Sequence, residues 1–214
     1  RRMAVVQPLK LIISNLPEAH SETLLMSNHP KNEALGKREV PFSNTLWIDA
    51  EDFMAEPIAG YHRLVPGGEV RLRGVGIVRC DSVTLSESGA TELHCSLDTE
   101  SRPGMEGSKR KIKGTIHWVC AKKAVPAEFR LFDRLFTVEN PDIEDGGKTY
   151  RDYINPASLQ TVHGFVEPVA AEAEPEQSFQ FERQGYFVAD RHAHKAGTPV
   201  FNRSVTLRDT WAAK

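Results

Sequence analysis

The sequence predicts an all-β protein built as barrels or sandwiches. Three observations lead there. Runs with two-residue alternation or dense β-branched content recur along the whole chain. Convincing 3.6-residue periodicity is scarce. The 15 glycines and 13 prolines punctuate the runs at short spacing, the pattern of many short strands joined by turns.

"MAVVQPLKLIISN" (3–15) reads as a strand. "VPFSNTLWID" (40–49), after a Gly-Lys-Arg stretch, reads as another. In "DAEDFMAE" (49–56) Asp49 is placed to cap a short helix. "GGEVRLRGVGIVRCDSVTLSES" (67–88) alternates: Val70, Leu72, Gly74 and Gly76 share one parity, Arg71, Arg73, Val75, Ile77 and Arg79 the other. Arg71 and Arg73 are therefore expected to point together off one sheet face. "SGATELHCSLDTE" (88–100) is the return arm of a hairpin turning at Ser88-Gly89. "KRKIKGTIHWVCAKK" (109–123) is a further strand. "AEFRLFDRLFTVENP" (127–141) alternates imperfectly at Phe129, Leu131 and Leu135 and is also compatible with a short helix at its start. "SLQTVHGFVEP" (158–168), "FQFERQGYFVAD" (179–190) and "PVFNRSVTLRDTW" (199–211) are strands. "SRPGMEGSKRK" (101–111) and "GFVEPVAAEAEPEQSF" (164–179) read as solvated loops. No internal repeat stands out.

The chain has 214 residues, enough for one large domain or two small ones. It is 40% hydrophobic and 26% charged, a globular rather than disordered balance. No apolar run is long enough to cross a bilayer and no signal-peptide pattern is present. The opening "RRMAVVQPLKLII" looks like the middle of a strand, which suggests a fragment. Cys80, Cys95 and Cys120 lack a CxxC pair and read as reduced thiols of a cytosolic protein, with a Cys80–Cys95 disulfide as the alternative. A net charge of −2 gives no bulk support to nucleic-acid binding, so any such binding must come from a local patch.

Few motifs advertise chemistry. His192 and His194 would share a strand face but lack a third nearby ligand, so a polar loop is preferred to a metal site. There is no GxSxG elbow, and "GVG" (74–76) has no following helix to make a phosphate loop. The basic residues are more specific. "YHRLVPGGEVRLR" (61–73) sets Arg63 close to Arg71 and Arg73, and forked guanidiniums suit base edges and phosphates.

"RRMAVVQPLKLII", "NHP", "VPFSNTLWIDAEDF", "RLVPGGEVRLR", "KGTIHWV", "EFRLFDRLF", "INPASL", "FQFERQGYF" and "VFNRSVTLRDTW" occur in the order and spacing of one family. Along essentially its whole length the chain resembles the C-terminal, anticodon-binding half of bacterial glutaminyl-tRNA synthetases. The resemblance implies two stacked antiparallel β-barrels, related to the barrel of the ribosomal protein that binds 5S rRNA. One barrel, nearer the catalytic domain, is expected from 1–26 plus 128–214, the other as an insertion at 27–127. It also implies a cytoplasmic, monomeric enzyme that joins glutamine to its tRNA with ATP and magnesium. The catalytic domain lies upstream, so this chain itself carries no catalytic residue and no cofactor site.

Carried over by position, Arg1, Gln180 and Arg183 meet the middle anticodon base, a uracil. Arg63 reads the third, a guanine. Arg73, with Arg71 second, faces the first. Two departures weaken neighbouring positions: His62 stands where the family has lysine before the guanine-reading arginine, and Lys31 where it has asparagine, with Asn32 one place later. An archaeal or eukaryotic glutamyl-tRNA synthetase domain and a non-synthetase RNA-binding barrel are the alternatives. Gln180 and Arg183 are three apart, which a straight strand would put on opposite faces. Sharing one pocket requires the backbone to turn at Glu182–Gly185.

Overall fold

The computed structural model describes residues 1–87, 89–142 and 146–207. The first apolar run is split. Strands β1 (Ala4–Val5) and β2 (Pro8–Ile13) flank a break at Val6-Gln7. There the two backbone N–H groups donate to the Asp49 carboxylate instead of a neighbouring strand. β3 (Ser21–Ser27) and β4 (Lys37–Ser43) form a two-stranded arm, and β5 (Thr45–Asp49) follows at once. The helix expected over 49–56 is one 3-10 turn, Ala50–Asp52, and Asp49 does not cap it.

Downstream, β6 (Glu69–Leu72) and β7 (Gly76–Ser86) form a hairpin, and β8 (Gly89–Asp98) is the predicted return arm. The 67–88 run is thus not one strand, because it turns at Arg73–Val75. Val78 and Cys80 keep the inward parity of Val70 and Leu72, and Ile77, opposite Arg71, is buried as well. The strand expected over 109–123 exists only as β9 (Thr115–Ile116) and β10 (Val119–Cys120). β11 (Val125–Phe132) is a strand from its first residue, β12 (Leu159–Val166) pairs with it, and α1 (Pro168–Ala171) buries Ala170 and Ala171 within the stretch read as a loop. β13 (Ser178–Phe181), β14 (Gly185–Ala189) and β15 (Val200–Val205) complete the chain; residues 208–211 of the last predicted strand lie outside the described residues.

The strands make two curled sheets. The first has six strands in the order β1-β12-β11-β15-β14-β13. Arg2 closes it: its N–H donates to the Gln180 carbonyl (3.0 Å) and its carbonyl accepts from the Glu182 N–H (2.9 Å), joining the β13 edge to the β1 edge. The second has seven strands in the order β10-β5-β2-β8-β7-β6-β9. Its two edges, β9 and β10, are joined in the chain by His117-Trp118 alone, so the polypeptide steps across the barrel end from one edge to the other. By hydrogen bonding, β2 belongs to the seven-stranded sheet, although the division expected from the sequence grouped residues 1–26 with the other one.

Each sheet encloses its own core. The first is a phenylalanine cluster of Phe129, Phe179, Phe181, Phe187 and Phe201. The second holds Trp118, Phe42, Leu46, Ile48 and Leu72. The alternation of residues 3–6 feeds both, since Met3 and Val5 enter the second core and Ala4 and Val6 the first. Successive side chains of a strand point to opposite sides, so this segment is the seam between the barrels. Trp47 stacks on Phe165 across the same seam, with centroids 5.1 Å apart. Cys80, Cys95 and Cys120 are buried free thiols, and no helix among the described residues is long and apolar enough to cross a membrane.

Candidate anticodon interface

The backbone turns where sharing one pocket demanded it. β13 and β14 are joined by Glu182–Gln184, Gln184 N–H closes the turn on the Phe181 carbonyl (3.1 Å), and Arg183 sits at φ 65°. That left-handed conformation is uncommon for a residue with a Cβ. Phe179 and Phe181 point into the core, which leaves Gln180 on the outer face. Exposed Tyr186 is its cross-strand partner, and such partners lie on the same face.

Two clusters form around this turn. In the first, Arg1 Nε donates to Gln180 Oε1 (2.9 Å), and Arg1 and Arg73 approach the Glu182 carboxylate at 3.8 and 3.2 Å. Arg1, Arg73 and Glu182 border a cleft of about 390 Å³ that Met26, Pro30 and Gly74 also line. Gly74 has φ 72°, and a Cβ there would meet the Met26 methyl at 2.6 Å. The bare glycine lets the β6–β7 turn carry Arg73 against the β3–β4 arm.

The second cluster is buried. Asp52 accepts from Arg183 with both oxygens, at 2.5 and 2.6 Å, and lies 3.3 Å from Arg63 Nε. Burial works against the Arg183 charge, but the hydrogen bonds and charge of Asp52 outweigh it and raise the guanidinium above its ordinary pKa. Asp49, alongside, accepts from Val6 and Gln7 N–H and from Gln184 Nε2, and lies 2.7 Å from His117 Nε2. Burial pushes its carboxyl up, yet His117 and those N–H groups hold it below the usual carboxylate range. Tyr61 donates to the Glu51 carbonyl, and burial and then Asp52 push its hydroxyl up to about 12, so it stays a neutral donor. Asp49, Asp52 and His117 are close enough to share an ion, with candidate ligand atoms within 4.8 Å of one another. Their carboxylate oxygens are instead taken by Arg183, Arg63, Gln184 and backbone amides, and a dication would face the Arg183 guanidinium.

Of the sequence candidates, Arg1 and Arg73 line one cleft, Gln180 is hydrogen-bonded to Arg1, and Arg183 and Arg63 converge on Asp52. Arg71 does not join them, because its guanidinium donates to the Ser101 and Arg110 carbonyls. The two arginines share a strand parity but diverge, since Arg73 already lies in the turn. Lys31 and Asn32 are exposed in the loop after β3, where Asn32 accepts from Ala34 N–H. His62 is exposed beside Arg63. His194 is buried, its ring nitrogens meeting the Ala173 carbonyl and the Val200 backbone, so the "HAH" pair is partly structural. Glu182, Asp49, Asp52 and His117 were missed. For Asp49, Asp52 and His117 the only local signal was an acid or imidazole beside apolar residues, in "LWIDAEDF" and "TIHWV"; Glu182, in "FERQ", had none.

The fold is a pair of curled β-sheets, each closed around its own core. Residues 1–98 and 115–190 match two models of the anti-codon binding domain of class I tRNA synthetases (E and Q), and the chain belongs to that family. It is 66% identical over 213 residues to a glutamine–tRNA ligase of Xanthomonas euvesicatoria pv. vesicatoria, which covers 99% of this chain and 37% of that protein. A glutamine–tRNA ligase of Xylella fastidiosa (strain M12) is 60% identical over 212 residues, with the same coverage. The chain therefore spans 37% of the length of these relatives.

Proposed function

We propose that the protein carrying this chain attaches glutamine to its tRNA, using ATP and magnesium at a catalytic domain encoded upstream, and that this chain selects the tRNA by its anticodon loop. The reading includes a monomeric, cytoplasmic enzyme. None of the present residues is assigned to ATP or magnesium. The observation that carries the selection step is the grouping of Arg1 and Arg73 at one cleft, with Gln180 hydrogen-bonded to Arg1 and with Arg183 and Arg63 held on Asp52.

Unpaired bases are read by splaying them out and hydrogen-bonding their edges. Gln180 presents a donor and an acceptor that suit a uracil edge, with Arg1 oriented on its carbonyl and Arg183 at the next bend. Arg63, at the rim of the second barrel, has the fork that matches the O6/N7 edge of guanine. Arg73 is the better placed of the two arginines for the first base, because Arg71 is spent on carbonyls. Lys31, Asn32 and His62 have the exposure for accessory backbone contacts. Exposed Tyr186 beside Gln180 offers a stacking face.

The test is Arg63→Ala in the full-length enzyme, assayed with cognate tRNA and with tRNA altered at the third anticodon base. Preference for the cognate base should fall by about tenfold or more. An unchanged preference refutes the role.

A further inference from the structure

We propose that Asp52 is a positioning residue that couples the reading of the middle and third anticodon bases, by holding Arg183 and Arg63 on one buried carboxylate. The proposal rests on the reading above, which sets those two arginines against those two bases.

Asp52 is fully buried, whereas the Arg183 and Arg63 side chains are 25% and 36% exposed. Each guanidinium thus has an anchored inner edge and an outer edge in solvent. Arg183 spends Nη1 and Nη2 on the two oxygens of Asp52, and its backbone sits in the left-handed region at φ 65°. A residue held in that region stays there because its surroundings over-determine it, and the bidentate ion pair is the strongest such restraint on Arg183. Arg63 is held from two sides, by Asp52 Oδ1 (3.3 Å) and by the Glu51 carbonyl (3.1 Å).

The two arginines come from different barrels: Arg183 from the β13–β14 turn of the six-stranded one, Arg63 from the segment before β6 of the seven-stranded one. Oδ1 of Asp52 touches both. A shift of either guanidinium therefore moves or repolarises the acceptor of the other, in surroundings where such interactions are weakly screened. Filling one base pocket orders the partner pocket, and a wrong base in one loosens the other. Arg73 is held by Glu182 instead, so the first base stands outside this coupling.

The experiment uses the full-length enzyme and measures kcat/KM for cognate tRNA and for tRNAs substituted singly at each anticodon base. Asp52→Asn should lower discrimination by about tenfold at both the middle and the third base, with the first base unchanged. A structural role alone would slow all substrates alike or unfold the protein, and would not select two positions of three. To keep the test independent of folding, Arg63→Lys, Arg183→Lys and the double variant are compared with Asp52 intact. Their combined loss should depart from the product of the single losses by at least about threefold. Loss at one base only, equal loss at all three, or multiplicative Lys variants would overturn the coupling. A wild-type enzyme indifferent to the middle and third bases would instead overturn the underlying assignment of the two arginines.

Discussion

Replacing Asp49 tests the physical account of the seam between the barrels. Its Oδ1 accepts from Val6 N–H (2.8 Å) and Gln7 N–H (3.0 Å), where the chain crosses from one sheet to the other. Its Oδ2 accepts from Gln184 Nε2 (2.6 Å), in the site turn, and lies 2.7 Å from His117. Hydrogen bonds to charged groups contribute about 1.5–3 kcal/mol each, and losses within one network do not add. Asp49→Asn keeps an oxygen for Val6 and Gln7, and Gln184 can rotate its amide to accept. The expected loss is about 2 kcal/mol, mostly charge assistance. Asp49→Ala strands all these donors in a buried site and should cost about 4 kcal/mol. Urea unfolding at neutral pH gives both values. The pH dependence adds an independent check. The folded carboxyl titrates below its ordinary value of 3.8, so its contribution is complete above that value and is lost as the pH falls through the folded pKa. The gap between wild type and Asp49→Asn should be constant near neutrality and close in strong acid. An alanine variant within about 0.5 kcal/mol of wild type, or a gap that persists in acid, would refute the reasoning.

Phe181→Ala removes a fully buried ring that packs edge-on to Phe129 and Phe201, and should cost about 3–5 kcal/mol in the same unfolding assay. Glu182→Gln removes the negative charge that Arg1 and Arg73 share. Fluorescence anisotropy should show RNA stem-loops binding about twofold to tenfold more tightly at low salt whatever their anticodon, whereas unchanged or weaker binding would contradict a restraining role for Glu182.

The all-β class was legible because alternation and turn residues are local signals. "FQFERQGYF" shows how far they reach: parity put Phe179 and Phe181 in the core, whereas 179–190 read as one strand is a hairpin, with its bend at the Glu182–Gly185 turn that a shared pocket required. Elsewhere the same signal misled. Gly74 and Gly76 fitted a strand parity, so the turn at Arg73–Val75 was read through, and Arg71 and Arg73 were set on one face although they diverge. "KGTIHWV" is apolar because His117-Trp118 crosses a barrel end, and burial alone does not say whether a segment is paired. Asp49 obeyed the local rule for a cap, but four partners from residues 6, 7, 117 and 184 won over the turn beside it. The buried carboxylates were invisible for the same reason. Their meaning lies in long-range partners, and the spacing of Asp52 to Arg183 in the chain carries no hint of a contact at 2.5 Å.

On the proposed reading, those carboxylates also account for how a chain of net charge −2 can hold four arginines for a polyanion. Nearly every arginine at the site faces an acid: Arg1 and Arg73 face Glu182, Arg183 and Arg63 face Asp52. A site of free arginines would bind any phosphate backbone, with the salt dependence that neutralising phosphates entails. Here the forks are oriented before RNA arrives, which lowers the ordering cost of a correct contact. The same acids cancel much of the long-range attraction and repel a misplaced phosphate, so the charge pattern favours choice among anticodons over affinity for RNA in general. The two acids divide this work by depth. Asp52, without solvent exposure, can only hold its arginines in place, whereas Glu182, 15% exposed at the cleft, can release Arg73 to a base and return to solvent.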